Sequence, residues 1–216
     1  MATVFGVSPS PFVRKVRVVL AEKNIPYELA PVFPGDADPK FRAMSPLGKI
    51  PAFKDGERTL CDSSIICSYL ERVHPTPALY PQDPYDCARA LWYEEYGDTA
   101  VVQVVGPKIF FEKIVNPGFF KKPTNQEVVD KAVKEEVPPL CDYVESQLGS
   151  GDFLVGNKFS IADIGMASPF VNFQHAGFKV DAKRWPKLAA FLDRILGRPS
   201  FQACLAEERQ MLGLAA

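Results

Sequence analysis

Apolar positions change period along this chain of 216 residues. Thr3–Val7 is a short β-rich run, and residues 11–23 then carry apolar side chains at 13, 16, 19 and 20, the stripe of an amphipathic helix. Asn24 ahead of Ile25-Pro26 reads as a helix stop, because asparagine tolerates a left-handed cap and proline blocks continuation. Tyr27–Phe33 reads as a second strand and Pro39–Met44 as a short helical turn. Pro51–Lys54 and Glu57–Leu60 flank Asp55-Gly56, a dipeptide whose preference for positive φ suits a type I′ hairpin. Ile65–Val73 closes the unit as a helix. The order β-α-β-α-β-β-α predicts a small mixed sheet covered by helices, an α/β arrangement.

Residues 74–84 carry proline at 75, 77, 81 and 84, a density that forbids regular helix or a paired strand and reads as an extended linker. Beyond it the pattern is helical nearly throughout. Residues 85–115 form one long segment in which Gly106-Pro107 predicts a kink or break. Residues 125–148 place apolar side chains at 129, 133, 137, 140, 144 and 148, with Pro138-Pro139 bending or dividing that helix. Ile161–Phe173 and Pro186–Leu196 are further helices, the second ended by Gly197. The reading is therefore an α/β domain over residues 1–80 and an all-helical domain over 85–216, joined by the linker at 74–84.

Composition narrows the classes. Hydrophobic residues make up 47% and charged residues 24%, the balance of an ordinary globular protein. Lys+Arg 25 against Asp+Glu 26 leave a net charge of -1, so no global field recruits nucleic acid or an anionic membrane. The local run Arg14-Lys15-Val16-Arg17, interleaved with valines, reads as a solvated helix face. Five cysteines and two histidines show neither a CxxC nor a zinc spacing, so no metal is expected. The odd, scattered cysteines suit reduced thiols in a cytoplasmic compartment. Neither a signal peptide nor a membrane span is indicated.

Candidate chemistry gathers in the first domain. Ser10 follows the first strand where a helix begins, and helix N-termini favour an anion. It is either an N-cap before Pro11 or a hydroxyl donor to a bound thiolate, with Ser8 the competing hydroxyl. Ile50-Pro51 opens a strand. An X-Pro bond is trans by default, and a proline here leaves the Ile50 backbone available to another chain. Lys49 beside it is a surface lysine or a carboxylate partner. Asp62-Ser63 caps the next helix, or holds the ammonium and carboxylate of an α-amino acid. Ser160 and Asp163 match a capping box, with Phe159 and Ile164 as its hydrophobic staple. Tyr93, Tyr96, Phe110, Phe111, Phe170 and Phe173 recur at helical spacing, as core or as the lining of an apolar cleft.

Taken together, Ser10-Pro11-Phe12 with Arg14-Lys15-Val16, Ser45 through Pro51, Asp62-Ser63 and the Phe159–Asp163 box resemble a cytosolic glutathione transferase, essentially end to end. The Ser-Pro-Phe context is similar to the serine-type, tau-like and omega-like branches. Omega-like proteins carry cysteine where this chain has Ser10, and the tyrosine-type branches place tyrosine where it has Phe5. Asp62 is shorter than the commoner glutamate. The resemblance implies a thioredoxin-like N-terminal domain, a helical C-terminal domain, a homodimer and a cis Ile50-Pro51 bond. It also implies glutathione as cosubstrate, with Ser10 facing its sulfur and Phe12 in the same seat. Ile50 and Pro51 would meet the cysteinyl unit, Lys49 the glycine carboxylate, and Asp62 and Ser63 the γ-glutamyl end. Tyr96, Phe110, Phe111 and Phe170 would line the pocket for a small apolar electrophile.

The implied mechanism closes energetically. A free cysteine thiol has a pKa of about 8.5, and lowering it by roughly two units takes about 2.7 kcal/mol. A hydrogen bond to a charged acceptor supplies about 1.5–3 kcal/mol and a helix N-terminus about 0.3–1 kcal/mol. Two other readings use the same residues: a glutathione-dependent isomerase, peroxidase or lyase, and a non-catalytic glutathione-binding module.

Overall fold

The structure, a computed structural model, describes residues 1–214. Ala215 and Ala216, the end of the helical domain expected at 85–216, lie outside the described residues. The chain splits into two compact units, Met1–Leu79 and a second beginning at Tyr80.

In the first unit, β1 (Ala2–Phe5) lies inside a four-stranded sheet ordered β2-β1-β3-β4. β2 (Tyr27–Ala30) runs parallel to it, and α1 (Pro11–Glu22) supplies the crossover that a parallel pair requires. After the short helix α2 (Pro39–Met44), β3 (Ala52–Asp55) pairs antiparallel with β1, and β4 (Arg58–Cys61) pairs antiparallel with β3. α3 (Ser63–Val73) then packs against α1. This is the mixed sheet expected of the sequence.

The hairpin turn falls one residue later than expected. Asp55 pairs with Arg58, so Gly56 and Glu57 are the central residues, and only Gly56 has positive φ, +57°. Those are the signs of a type II′ turn, because glutamate resists the second left-handed position that type I′ demands. Asn24 takes the left-handed conformation anticipated for it, φ +55°.

The solvated basic face on α1 does not exist. Arg14, Lys15 and Arg17 are buried with the valines around them, every residue from Val13 to Leu20 being inside. Each cation is met by oxygen. Arg14 Nη2 donates to the Pro9 carbonyl, Lys15 Nζ to Ser64 Oγ at 3.0 Å, and Arg17 Nε to the Tyr27 hydroxyl at 2.7 Å. Lys23, also buried, donates to the carbonyls of His74 and Pro77 and pairs with Glu71 at 2.8 Å. The proline-rich stretch is thereby fastened to α1 at its start rather than left as a loose spacer. Its Thr76-Pro77 bond is cis, which nothing in the local sequence announces.

The second unit has helices and no strand among its described residues. α4 (Pro84–Tyr96) continues without a break through widened turns at Gly97–Val101, a single turn α5 (Val102–Val104) and further widened turns at Val105–Phe120. Gly106-Pro107 does not break the helix: the run continues through both residues, because widened turns let the chain pass a residue with no N–H to donate. α6 (Gln126–Lys131) widens at Ala132–Glu136 and runs on into α7 (Val137–Gln147), so Pro138-Pro139, at the start of α7, do not divide the helical run. α8 (Ile161–His175) is the core helix, with every residue except Gln174 buried. Asp163 anchors its start, accepting from the amides of Leu154 at 2.9 Å and Ser160 at 2.8 Å, while burial pushes its carboxyl up to about 6. α9 (Pro186–Leu196) and α10 (Pro199–Leu212) complete the unit; His175 Nε2 and Glu208 Oε2, 2.8 Å apart, tie α8 to α10. No helix among the described residues is long and apolar enough to cross a membrane.

α4 and α8 cross on glycine. A Cβ on Gly97 would stand 2.5 Å from the Gly165 carbonyl oxygen, and one on Gly165 would stand 2.9 Å from Glu94 Cα. Backbone fills both positions and cannot swing aside. Gly165→Ala is expected to lower stability by about 1–3 kcal/mol, measured as a lower urea midpoint at unchanged slope.

Candidate functional site

The sheet register gathers the sequence-marked residues of the first unit. Phe5 pairs with Ala52 and Ala52 with Cys61, so one step further Gly6, Pro51 and Asp62 stand in a row at one end of the sheet. Gly6 must lack a side chain there: a Cβ would meet Val13 Cγ2 at 2.5 Å and Ile50 Cβ at 3.4 Å. The first turn of α1 and the Ile50-Pro51 bond therefore rest against the same backbone. α3 begins directly after Asp62, so the N-termini of α1 and α3 both open at this end.

Ser10 is the N-cap of α1, with extended backbone and a half-exposed side chain. Its Oγ accepts from the Val13 amide at 3.4 Å, a long bond that leaves the hydroxyl proton uncommitted. Phe12 beside it is half-buried. Ser8 differs: it is 2% exposed, and its Oγ accepts from Arg17 Nη1.

The Ile50-Pro51 bond is cis, as the resemblance implies and against the trans default. The amide and carbonyl of Ile50 have no hydrogen-bond partner among the described residues. The loop leading to them is tied by bonds from Ser45 Oγ to the Lys49 carbonyl at 2.7 Å and from the Gly35 amide to the Gly48 carbonyl at 2.8 Å. Lys49 is exposed and makes no ion pair among the described residues.

Asp62 holds a left-handed conformation at φ +75°, uncommon for a residue with a side chain. One carboxylate oxygen, Oδ1, accepts from the amides of Ser64 at 2.9 Å and Ile65 at 3.3 Å and so caps α3. Ser63, 3% exposed, has no partner for its hydroxyl among the described residues, and its amide is an open first-turn donor.

The aromatic candidates belong to the helical unit and do not share one environment. Tyr96 is half-buried with its ring centroid 4.5 Å from that of Tyr143, and burial raises its phenol. Phe111 is 43% exposed, with its ring 5.8 Å from Phe120. Phe110 is buried, and Phe170, 1% exposed, lies within the inner helix. Phe110 and Phe170 expose far less surface than Phe111, because helical spacing marks an apolar face without saying which apolar side chains reach solvent. Cys141 is no nucleophile here: burial pushes its thiol up to about 12, away from the reactive thiolate.

Residues 4–78 match the family model for the glutathione S-transferase N-terminal domain, and residues 110–208 that for its C-terminal domain. Over 199 residues, 87% of each chain, the sequence is 30% identical to glutathione S-transferase 4 of Zea mays. The chain belongs to the glutathione S-transferase family. A glutathione S-transferase of Hyoscyamus muticus is 29% identical over 208 residues, 93% of this chain and 95% of that one. The structure superposes with a TM-score of 0.76 on a glutathione S-transferase of Methylobacterium radiotolerans solved in complex with glutathione sulfonate, at 28% identity and 94% coverage of both chains. The first unit is thus the thioredoxin-like domain of a glutathione S-transferase and the second its helical partner. The grip on Ser8 and Pro9 by Arg17 and Arg14 escaped the sequence reading. Its one signal is a run of cations on a valine-rich helix that starts at the site.

The capping role of Asp62 is separable from any ligand role. Asp62→Ala is expected to cost about 1 kcal/mol without any ligand present, while Asp62→Asn, which keeps an acceptor and tolerates positive φ, stays within about 0.5 kcal/mol. Thermal melts of the ligand-free protein check this.

Proposed function

We propose that this member of the family is a glutathione transferase that binds glutathione across the end of its sheet and activates the thiol as thiolate for attack on small apolar electrophiles. The observation that carries it is the row of uncommitted polar groups there. The Ser10 hydroxyl, the Ile50 backbone and the Ser63 hydroxyl with its amide sit beside two helix N-termini. A peptide bearing a carboxylate and a thiol satisfies each of them.

In this reading Ile50 pairs its backbone with the cysteinyl unit past the cis Pro51, and Phe12 flanks that unit. Lys49 reaches the glycine carboxylate. Ser63 takes the γ-glutamyl carboxylate, and the Asp62 oxygen not used in capping faces the ammonium. Ser10 donates to the sulfur, and the thiol proton leaves to solvent. Ser8 is the weaker candidate because its oxygen is buried and held by Arg17. The hydroxyl and the α1 N-terminus together supply about 2–4 kcal/mol, enough for the roughly 2.7 kcal/mol that thiolate formation needs at neutral pH. Of the aromatic candidates, Tyr96 and Phe111 have ring surface for an electrophile. A homodimer is the assembly that the resemblance implies.

Ser10→Ala is expected to lower turnover of 1-chloro-2,4-dinitrobenzene conjugation by about 10²-fold, the scale of losing one preorganised donor, with glutathione affinity within about threefold. Unchanged turnover would sink the role given to Ser10. Ser63→Ala is expected to weaken glutathione binding about tenfold in calorimetry, the equivalent of one charge-assisted hydrogen bond. Retention on immobilised glutathione with no conjugation of any electrophile would point instead to a binding module.

A further inference from the structure

The turn that delivers Ser10 is gripped from within. Its hydrogen bond runs from the Ser10 amide to the Val7 carbonyl at 3.1 Å, leaving Ser8 and Pro9 as the central residues. Both central residues are held by buried guanidinium groups from the helix that the turn leads into. Arg17 Nη1 donates to Ser8 Oγ, and Arg14 Nη2 donates to the Pro9 carbonyl at 3.4 Å. Arg17 is itself anchored outside the helix. Its Nε donates to the Tyr27 hydroxyl at 2.7 Å, and its guanidinium carbon stands 5.9 Å from the centre of the Tyr27 ring. Tyr27 opens β2, which is fixed in the sheet beside β1. A chain of contacts therefore runs from the sheet through Tyr27 and Arg17 to Ser8, two residues before Ser10.

Ser10 needs such help. Its own tether, the 3.4 Å bond from the Val13 amide, is too long to fix the hydroxyl tightly. A donor acts on a developing anion only if it is preorganised to within a fraction of an ångström. We propose that Ser8, clamped by Arg17, is a positioning residue that sets the Ser10 hydroxyl for the sulfur of bound glutathione. This rests on the role given to Ser10 above. Ser8 touches neither substrate nor sulfur. It acts by holding the turn at the one side chain that a buried cation can reach. The hydroxyl is the required feature, so threonine substitutes for serine and alanine does not.

The experiment is a double-mutant cycle with Ser8→Ala, Ser10→Ala and both together, plus Ser8→Thr as the conservative variant. Three quantities are measured: kcat, KM for glutathione, and the titration midpoint of the bound thiol from thiolate ultraviolet absorbance. Folding of each variant is checked by thermal melts. Ser8→Ala is expected to lower kcat about tenfold, the scale of one lost hydrogen bond to a charged group. KM for glutathione should stay within twofold and the midpoint of the bound thiol should rise. Ser8→Thr should restore both kcat and midpoint, and Ser8→Ala should add nothing in the Ser10→Ala background, because it works through the hydroxyl already removed. Multiplicative losses in the double variant, or an unchanged thiol midpoint in Ser8→Ala, overturn the positioning role while leaving Ser10 as donor. A fully active Ser10→Ala overturns both.

Discussion

Gly6 carries no side chain at the point where β1 leaves the sheet, and Val13 and Ile50 occupy the room a Cβ would take. That close approach brings three separate parts of the chain to one place. The turn into α1 passes above it, the cis Ile50-Pro51 bond lies beside it, and Asp62 follows one strand further along the same row. Any methyl group at Gly6 would wedge the first turn of α1 away from Ile50. The approach of the first turn of α1 to Ile50 thus depends on a missing side chain at Gly6.

Around this point the first unit buries charge that a helical wheel would send to solvent. Arg14, Lys15, Arg17 and Lys23 lie on α1 or at its end, and all are inside. A buried cation without partners is strongly unfavourable, so each has been given oxygens: carbonyls for Arg14 and Lys23, hydroxyls for Lys15 and Arg17, a carboxylate for Lys23. The donors are rigid because their acceptors sit on different elements. Lys15 joins α1 to the first turn of α3, Lys23 joins it to the proline-rich stretch, and Arg17 joins it to β2 and to the turn before Ser10. Cations that look like a surface face in sequence act here as internal braces.

The polar groups left over at the sheet end suit the proposed chemistry. A helix N-terminus or a capping serine alone is a structural device found on most helices. Here, however, the capping of α3 falls to Asp62, which frees Ser63, and the capping of α1 by Ser10 is loose. Division of labour between neighbours lets the same residues end a helix and remain available to a ligand. No metal or protein nucleophile is needed for the proposed reaction, because glutathione brings the sulfur.

The order of elements in the first unit, the hairpin, the caps at Ser10 and Asp62, and the helical character beyond Tyr80 were legible in the sequence, because period, turn residues and capping residues act within a few positions of themselves; α10 was not read there. The family motifs were legible for the same reason, as short strings at fixed spacing. What lay beyond reach came from partners far along the chain. Burial of Arg14, Lys15 and Arg17 depends on oxygens at Ser64, Tyr27, Ser8 and Pro9. The unbroken passage of Gly106-Pro107 depends on widened turns rather than on the dipeptide itself. Tertiary structure alone decided which aromatic rings face solvent and which serine near α1 stays uncommitted, since apolar periodicity and a hydroxyl in a turn look alike in sequence whether or not a buried arginine takes them. Each local device stands where its neighbouring residues put it, and packing across the sheet end leaves some of them with a free hydrogen bond.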